Sequence, residues 1–183
     1  LAVFDARFRL GLSATPFRRD GLSSVIFWHC GPLCKINPAE VKATGAIVPA
    51  TVTIKQTGFI PLTDPAEEYS RSLAELTEDQ NRTAAIARDV AAEAKNGGGT
   101  CLCLTDRKKH AEAISCALER HHQSAEILTG DMTAGKRQEI VDRLNSGNVK
   151  VLIATGQLIG EGFDCKGLSN LFLASPVSFH GRL

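Results

Sequence analysis

Short apolar segments alternate with helical patterns in the second half of the chain, and this alternation restricts the fold more than any other feature. Strands are predicted over residues 100–105, 125–129 and 149–154, separated by helices over residues 107–121 and 134–145. Strands that are apolar on both faces and are joined by amphipathic helices form a parallel sheet that is covered on both sides. The predicted fold class is therefore α/β, with an open and mainly parallel sheet.

The same alternation extends beyond this region. A fourth strand is predicted over residues 171–174, and two helices are predicted before the first strand, over residues 67–76 and 81–95. In the second of these helices, apolar residues recur every four positions and place one face against a core: Ile86, Val90 and Ala94. The glycines at 97–99 end this helix, since no strand precedes them and no Lys-Ser/Thr follows them as in a phosphate loop.

The first third of the chain is less regular. A short strand is predicted at residues 9–14, and an exposed edge strand at 50–56, where β-branched residues alternate with others. The composition shifts near residues 45–50. Two domains are therefore expected, covering residues 1–48 and 49–183.

Composition narrows the function classes only slightly. The net charge of +1 gives no overall attraction to nucleic acid or membrane, so any such interaction has to be local. No apolar run approaches the roughly 18 residues that a membrane span needs. The six cysteines include no CxxC pair, which favours reduced thiols and a cytoplasmic protein without a zinc site.

Hydroxyl residues and glycine recur where the predicted strands end. Thr105 and Asp106 follow the first strand, Thr129 and Gly130 the second, and Thr155 the third. The carboxyl ends of parallel strands meet at one edge of the sheet, where α/β proteins bind ligands. Hydroxyl and amide groups can donate to phosphate oxygens, so a polyanion site is one interpretation. The other is that these residue types simply end strands well.

A glycine-rich loop follows the third strand and ends on an acid. Its polar and glycine residues are Gly160, Glu161, Gly162 and Asp164. A carboxylate in this position can accept a hydrogen bond from a ribose hydroxyl, as acids do in nucleotide-binding folds. Asp164 can equally cap a helix or stabilise a turn.

Four segments of the chain resemble motifs of superfamily 2 helicases and translocases. Motif III and its flank are resembled by RLGLSATPFRRDGL at 9–22, and motif IV by CLCLTD at 101–106. Motif IVa is resembled by LTG at 128–130, and motif V by VLIATGQLIGEGFD at 151–164. Their order and spacing match the DEAD/DEAH-like family along nearly the whole chain. The motif III flank resembles the P-x-R-x-D-G of the branch near type III restriction subunits and excision-repair translocases: Pro16, Arg18, Asp20 and Gly21.

The resemblance implies two RecA-like domains of the P-loop NTPase type, with ATP and Mg²⁺ in the cleft between them and nucleic acid across both. Residues 1–48 correspond to the end of the first domain and residues 49–183 to most of the second. The coupling of the two ligands is then assigned to Ser13, Ala14 and Thr15. Backbone contacts with nucleic acid are assigned to Thr105, Asp106, Thr129, Gly130 and Thr155. The ATP cleft is assigned to Gly160, Glu161, Gly162 and Asp164.

The sequence also departs from the family. It contains no Gly-x-x-x-x-Gly-Lys-Thr phosphate loop and no Asp-Glu acid pair to hold magnesium. Arg182 falls before the position of motif VI and does not correspond to the arginine finger. We therefore expect a fragment of an ATP-dependent helicase or translocase that is inactive alone and holds no tightly bound cofactor.

The expected partners are nucleic acid, DNA rather than RNA, and the first RecA-like domain of the parent protein. A second interpretation is a catalytically silent module that binds nucleic acid or protein through the same surface. A third, a Rossmann-type dinucleotide enzyme, requires G-x-G-x-x-G directly after a first strand. The GEGFD segment at 160–164 follows a late strand and lacks the third glycine, which disfavours this class.

Overall fold

The computed structural model describes residues 7–13, 16–18, 20–37, 50–155 and 167–176. The chain divides into two compact units, Leu1–Lys55 and Gln56–Leu183. Within the described ranges, no helix is both long enough and apolar enough to cross a membrane.

The described part of the first unit contains one helix, α1, over Ser23–Cys30. It ends at Gly31, whose N–H donates to the carbonyl oxygen of Phe27 at 2.8 Å and whose φ is +86°. Glycine adopts this left-handed conformation without strain, which suits the end of a helix. The strand predicted at 9–14 is wrong for the described residues 9–13, which form no strand.

The edge strand predicted at 50–56 is also wrong. These residues form no regular structure, and the side chains of Val52 and Ile54 are 83% and 90% exposed. Alternating β-branched residues favour a strand, but a strand also needs a neighbour to accept and donate its backbone hydrogen bonds. No described strand pairs with this segment.

Two helices open the second unit, as predicted. Helix α2 covers Tyr69–Glu78 and helix α3 covers Gln80–Asn96. Asp79 separates them, and its carboxylate caps α3 by accepting a hydrogen bond from the N–H of Arg82 at 2.9 Å. The predicted inward face of α3 is confirmed, since Val90 and Ala94 are buried and Ile86 packs against the same core.

Four strands form one parallel sheet in the described part of the chain. They are β1 at Thr100–Thr105, β2 at Glu126–Leu128, β3 at Val151–Thr155 and β4 at Leu168–Leu173, arranged in the order β2-β3-β1-β4. Each of the three pairings is parallel. The prediction of an α/β fold with a parallel sheet is therefore confirmed.

Two further helices connect the strands. Helix α4 covers Lys108–Glu119 and lies between β1 and β2, and helix α5 covers Ala134–Asn145 and lies between β2 and β3. The bounds predicted for α5 agree with the structure, while α4 is shorter at both ends than its predicted range.

The helices cover both faces of the sheet. Alternate side chains of β1 and β3 pack with α3 and α4 in one cluster, whose members include Val90, Cys101, Cys103, Ile114, Leu118 and Ile153. The intervening side chains pack with α5 in a second cluster, whose members include Leu102, Leu128, Ile140, Leu144 and Leu152. The period of two in the strands thus divides the core into two layers.

The Gly99→Ala substitution is expected to destabilise the second unit. A Cβ atom at Gly99 would lie 2.6 Å from the Oγ of Ser169 and 2.7 Å from the carbonyl oxygen of Gly167. Relieving this overlap requires the start of β4 to shift, which costs about 1–3 kcal/mol of unfolding free energy. Urea denaturation followed by circular dichroism measures the change.

Gly98→Ala is the matched control, because a Cβ at Gly98 meets nothing within 4 Å. This variant should change the unfolding free energy by no more than about 0.5 kcal/mol. Equal effects of the two substitutions would contradict the proposed overlap at Gly99.

Candidate nucleic-acid interface

The carboxyl edge of the sheet brings together residues that the sequence singled out at separate strand ends. Thr105 of β1 lies in register with Thr155 of β3, and β3 also pairs with β2, which ends just before Thr129. Gly130 follows at the surface. The edge therefore carries a row of hydroxyl groups and exposed backbone.

These residues differ in how far solvent reaches them. Asp106 and Gly130 are exposed, and Thr129 and Thr155 are half-buried. Thr105 is only 1% exposed, and its Oγ1 is hydrogen-bonded to Nδ1 of His110 at 2.7 Å. In this structure Thr105 therefore fixes a neighbouring side chain, while the other four residues lie at or near the surface.

An ion pair links the start of α4 to the loop after β2. Nζ of Lys108, at the start of α4, lies 2.8 Å from Oδ2 of Asp131, in the loop after β2. Asp131 also accepts a hydrogen bond from the hydroxyl of Thr129. The hydrogen bonds from Lys108 and Thr129 lower the pKa of Asp131 to about 2. Both ion-pair partners are exposed, so an incoming anion can compete with Asp131 for Lys108.

The beginning of α4 has an unfavourable charge distribution for a helix. Lys108 and Lys109 occupy its first turn without an acidic residue, and Arg107 provides no side-chain cap. The first turn of a helix has free N–H groups and carries the positive end of the helix dipole. Lysine side chains are therefore unfavourable there, whereas a bound anion is stabilised. This end of α4 is therefore suited to a phosphate group.

A groove of about 850 Å³ adjoins the start of α4. It lies along α4 beside the end of α2 and the start of α3. Its charged lining residues are mostly basic: Glu78, Arg107, Lys108, Lys109 and Arg120. The chain is nearly neutral as a whole, so this groove and the adjacent edge concentrate positive charge on one part of the second unit.

Behind the edge lies a buried polar group that the sequence did not reveal. Arg82 of α3 is 8% exposed and His110 of α4 is 1% exposed. Burial, and then the charge of Arg82, lowers the pKa of His110 to about 4. Burial also lowers the pKa of Arg82 itself and raises the pKa of the Cys103 thiol to about 12. His110 is therefore neutral at pH 7 and Cys103 stays a thiol.

The loop between β2 and α5 partly matches a phosphate loop. Gly130, Gly135 and Lys136 have the spacing G-x-x-x-x-G-K between a strand and a helix, but Arg137 stands where Ser or Thr would bind magnesium. The hydroxyl of Thr133 caps α5 by accepting from the N–H of Lys136. The segment thus lacks the magnesium ligand of a complete phosphate loop.

In the first unit, the turn that follows motif III is held by an arginine and an acid. Nε of Arg18 donates to Oδ1 of Asp20 at 2.9 Å, and the N–H of Leu22 donates to the same oxygen at 3.1 Å. The hydrogen bond from Arg18 contributes most to lowering the pKa of Asp20 to about 2. Gly21 has a φ of +75°, which explains the glycine in P-x-R-x-D-G.

Several predicted site residues lie outside the described part of the chain. They are Ala14, Thr15, Gly160, Glu161, Gly162 and Asp164. Ser13, the remaining residue assigned to coupling, is exposed in the first unit. The described residues therefore do not include the predicted ATP cleft. In the same described ranges, no three His, Cys, Asp or Glu side chains are grouped so that they could hold a metal ion.

A parallel sheet in the order β2-β3-β1-β4, with helices on both faces and polar groups at the carboxyl ends of its strands, is a RecA-like α/β fold. The chain belongs to the family of the helicase conserved C-terminal domain, whose family model matches residues 82–178. This confirms the resemblance to superfamily 2 helicases.

Known proteins similar to this chain include two ATP-dependent RNA helicases. The chain is 26% identical to eIF4A of Encephalitozoon cuniculi over 84 residues, which is 46% of this chain and 20% of that protein. It is 28% identical to RhlB of Xanthomonas axonopodis pv. citri over 61 residues, or 33% of this chain and 11% of that protein. The chain thus matches a fifth or less of the length of these relatives.

A solved structure gives the same fold. The crystal structure of T4 UvsW superposes with a TM-score of 0.52 over 60% of this chain and 22% of that chain, at 20% sequence identity. At this level of identity the likeness concerns the fold.

Proposed function

We propose that this chain is the part of an ATP-dependent helicase or translocase that holds the nucleic-acid backbone at the carboxyl edge of its parallel sheet. The observation that carries the proposal is the basic first turn of α4, which has no side-chain cap and no acidic residue. It faces the loop after β2 through the ion pair between Lys108 and Asp131.

The available groups suit phosphate better than bases. Lys109, the hydroxyl of Thr155 and the backbone of Gly130 offer hydrogen-bond donors without an aromatic surface for stacking, and the hydroxyl of Thr129 becomes a further donor once Asp131 is displaced. Phosphate contacts carry no sequence information, so binding should depend on salt and vary little with base sequence. A phosphate that displaces Asp131 from Lys108 would also recover the charge of that lysine for binding.

We propose further that ATP and Mg²⁺ act in the whole motor and not in this chain alone. The motif V residues Gly160, Glu161, Gly162 and Asp164 would face the ATP cleft, where bound ATP supplies a ribose and phosphates to contact. The sequence contains neither the complete phosphate loop nor the acid pair that hydrolysis needs. Turnover would therefore depend on another domain, the first RecA-like domain of the motor.

Two observations point to different nucleic acids as the ligand. The motif III flank resembles DNA-directed proteins, which favours DNA, whereas the matched curated relatives are named RNA helicases. The donors at the carboxyl edge of the sheet would contact phosphate in both DNA and RNA. We propose nucleic acid as the ligand class in a cytoplasmic protein, and the binding experiment compares both polymers.

Lys109→Ala is expected to weaken binding of single-stranded nucleic acid. Fluorescence anisotropy with labelled oligo-dT and oligo-U of equal length, titrated between roughly 50 and 200 mM salt, measures affinity and its salt dependence. Losing one phosphate contact should reduce the slope of log affinity against log salt by about 0.7. The slope should become smaller for both oligo-dT and oligo-U.

Lys150→Ala is the matched control. Lys150 is an exposed lysine directly before β3, at the opposite edge of the sheet from Lys109. This variant should keep the affinity and the salt slope of the unsubstituted chain. The proposal fails if Lys150→Ala weakens binding as much as Lys109→Ala does, or if neither polymer binds in a salt-dependent way.

A further inference from the structure

The buried group behind the edge contains two polar atoms without partners. Among the described residues, Nη1 of Arg82 and Nε2 of His110 are buried and form no hydrogen bond. Burying such atoms without partners is costly, so native proteins pair them with each other, with another group or with an internal water. The two side chains are also close enough for the charge of Arg82 to act on His110.

The chemistry of the two side chains restricts how both atoms can be satisfied. Arginine has only donors, whereas each nitrogen of a neutral imidazole either donates or accepts. If Nε2 of His110 carried the proton, two donors would face each other beside a positive charge. If Nε2 carries a lone pair, it can accept from Arg82. When the two atoms bond to each other directly, only the second tautomer satisfies both of them.

That tautomer also fixes the direction of the hydrogen bond on the other side of the ring. With Nε2 as acceptor, Nδ1 carries the proton and donates to Oγ1 of Thr105 across 2.7 Å. The Thr105 hydroxyl keeps its own proton as a donor. The three side chains then form one directed series from α3 through α4 to the end of β1.

We infer that Arg82 donates directly to Nε2 of His110, that His110 donates from Nδ1 to Thr105, and that this series positions the start of α4 for phosphate. Arg82 and His110 are thus positioning residues. The last part of the inference rests on the proposed function. His110 lies in the first turn of α4 together with Lys108 and Lys109, so anchoring its ring to β1 orients both lysines.

The tautomer can be measured in the 183-residue chain without any ligand. Long-range ¹H–¹⁵N correlation spectra at pH 7 distinguish the two neutral forms of His110, which the His110→Gln variant assigns. The expected result is the form protonated at Nδ1. A spectrum of the form protonated at Nε2 would overturn the inference.

Arg82→Met tests the other end of the series, because methionine occupies a similar volume without a donor. Arg82 from α3 acts on His110 through its charge, and Thr105 from β1 is hydrogen-bonded to its ring. Removing Arg82 should raise the pKa of His110 and let the Nε2-protonated form appear. Arg82→Lys keeps a donor and a charge and should restore the Nδ1 form. Unchanged spectra in Arg82→Met would contradict the role of Arg82.

Binding of oligo-dT and oligo-U separates this inference from the proposed function. Arg82→Met should weaken binding roughly fivefold, about 1 kcal/mol, with an unchanged salt slope because every phosphate contact is still present. If Lys109→Ala weakens binding and Arg82→Met does not, the positioning role is wrong. If neither variant affects binding while the Nδ1 tautomer is observed, the proposed function is wrong and the buried series stands.

Discussion

Acidification from pH 7 to pH 4 is expected to remove about 3 kcal/mol of unfolding free energy through His110 alone. The folded state holds this group neutral, with its pKa lowered to about 4 by burial and by Arg82, whereas an unfolded histidine titrates near its ordinary value of about 6.5. The unfolded state therefore binds the proton first as pH falls. This stabilisation is fully present above the pKa of the unfolded histidine, about 6.5, and is lost as pH falls from there to the folded pKa of about 4.

Urea denaturation at a series of pH values measures this loss, and His110→Gln identifies its source. The variant should show a shallower fall of unfolding free energy over the same pH range, because glutamine does not titrate. His122→Asn is the control: His122 is exposed, and asparagine tolerates its φ of +58°. If the two variants follow parallel pH profiles, His110 is not the group responsible.

The Leu152→Ala substitution is expected to cost about 2–5 kcal/mol of unfolding free energy. Leu152 is fully buried in β3, the strand that pairs with both β1 and β2, and its side chain packs with α5. Truncation removes apolar contacts and leaves a cavity in a layer where neighbouring strands prevent collapse. Equilibrium denaturation by urea measures the loss.

Leu173→Ala makes the same chemical change at a different place. Leu173 lies in the edge strand β4 and is 47% exposed, so the substitution should cost less than about 1 kcal/mol. A comparable loss in the two variants would contradict the assignment of Leu152 to the core and of Leu173 to the surface.

Most elements of the second unit were predictable because their signals are local. The period of apolar residues predicted α3 and α5, and continuous apolar runs predicted β1 and β3. In each case the residues that carry the pattern also form the buried face. The hydroxyl residues at the strand ends were predictable for the same reason, since parallel strands place all their carboxyl ends at one edge.

The wrong predictions involve segments whose structure depends on a partner. The alternation at 50–56 favours a strand, but no described strand lies beside it. The segment at 9–13 is likewise irregular. An alternating pattern therefore does not predict a strand reliably unless the sequence also indicates which strand would pair with it.

The site was predictable only in outline. The threonines and glycine at the edge follow from the strand ends, but the burial of Thr105 depends on His110, which comes from the next helix. Arg82 lies far from both in sequence and reads as an ordinary surface cation on a polar helix. Asp131 directly follows the Thr129–Gly130 pair, and its partner Lys108 could not be inferred without the fold.

The strand order determines when the sheet can assemble. β1 and β2 are made first, but they do not pair with each other, because β3 lies between them. A chain emerging from the ribosome therefore has no paired strands in this part until residues 151–155 have been made. Until then α3, α4 and β1 can associate only through their side chains, with the backbone groups of β1 still bonded to water.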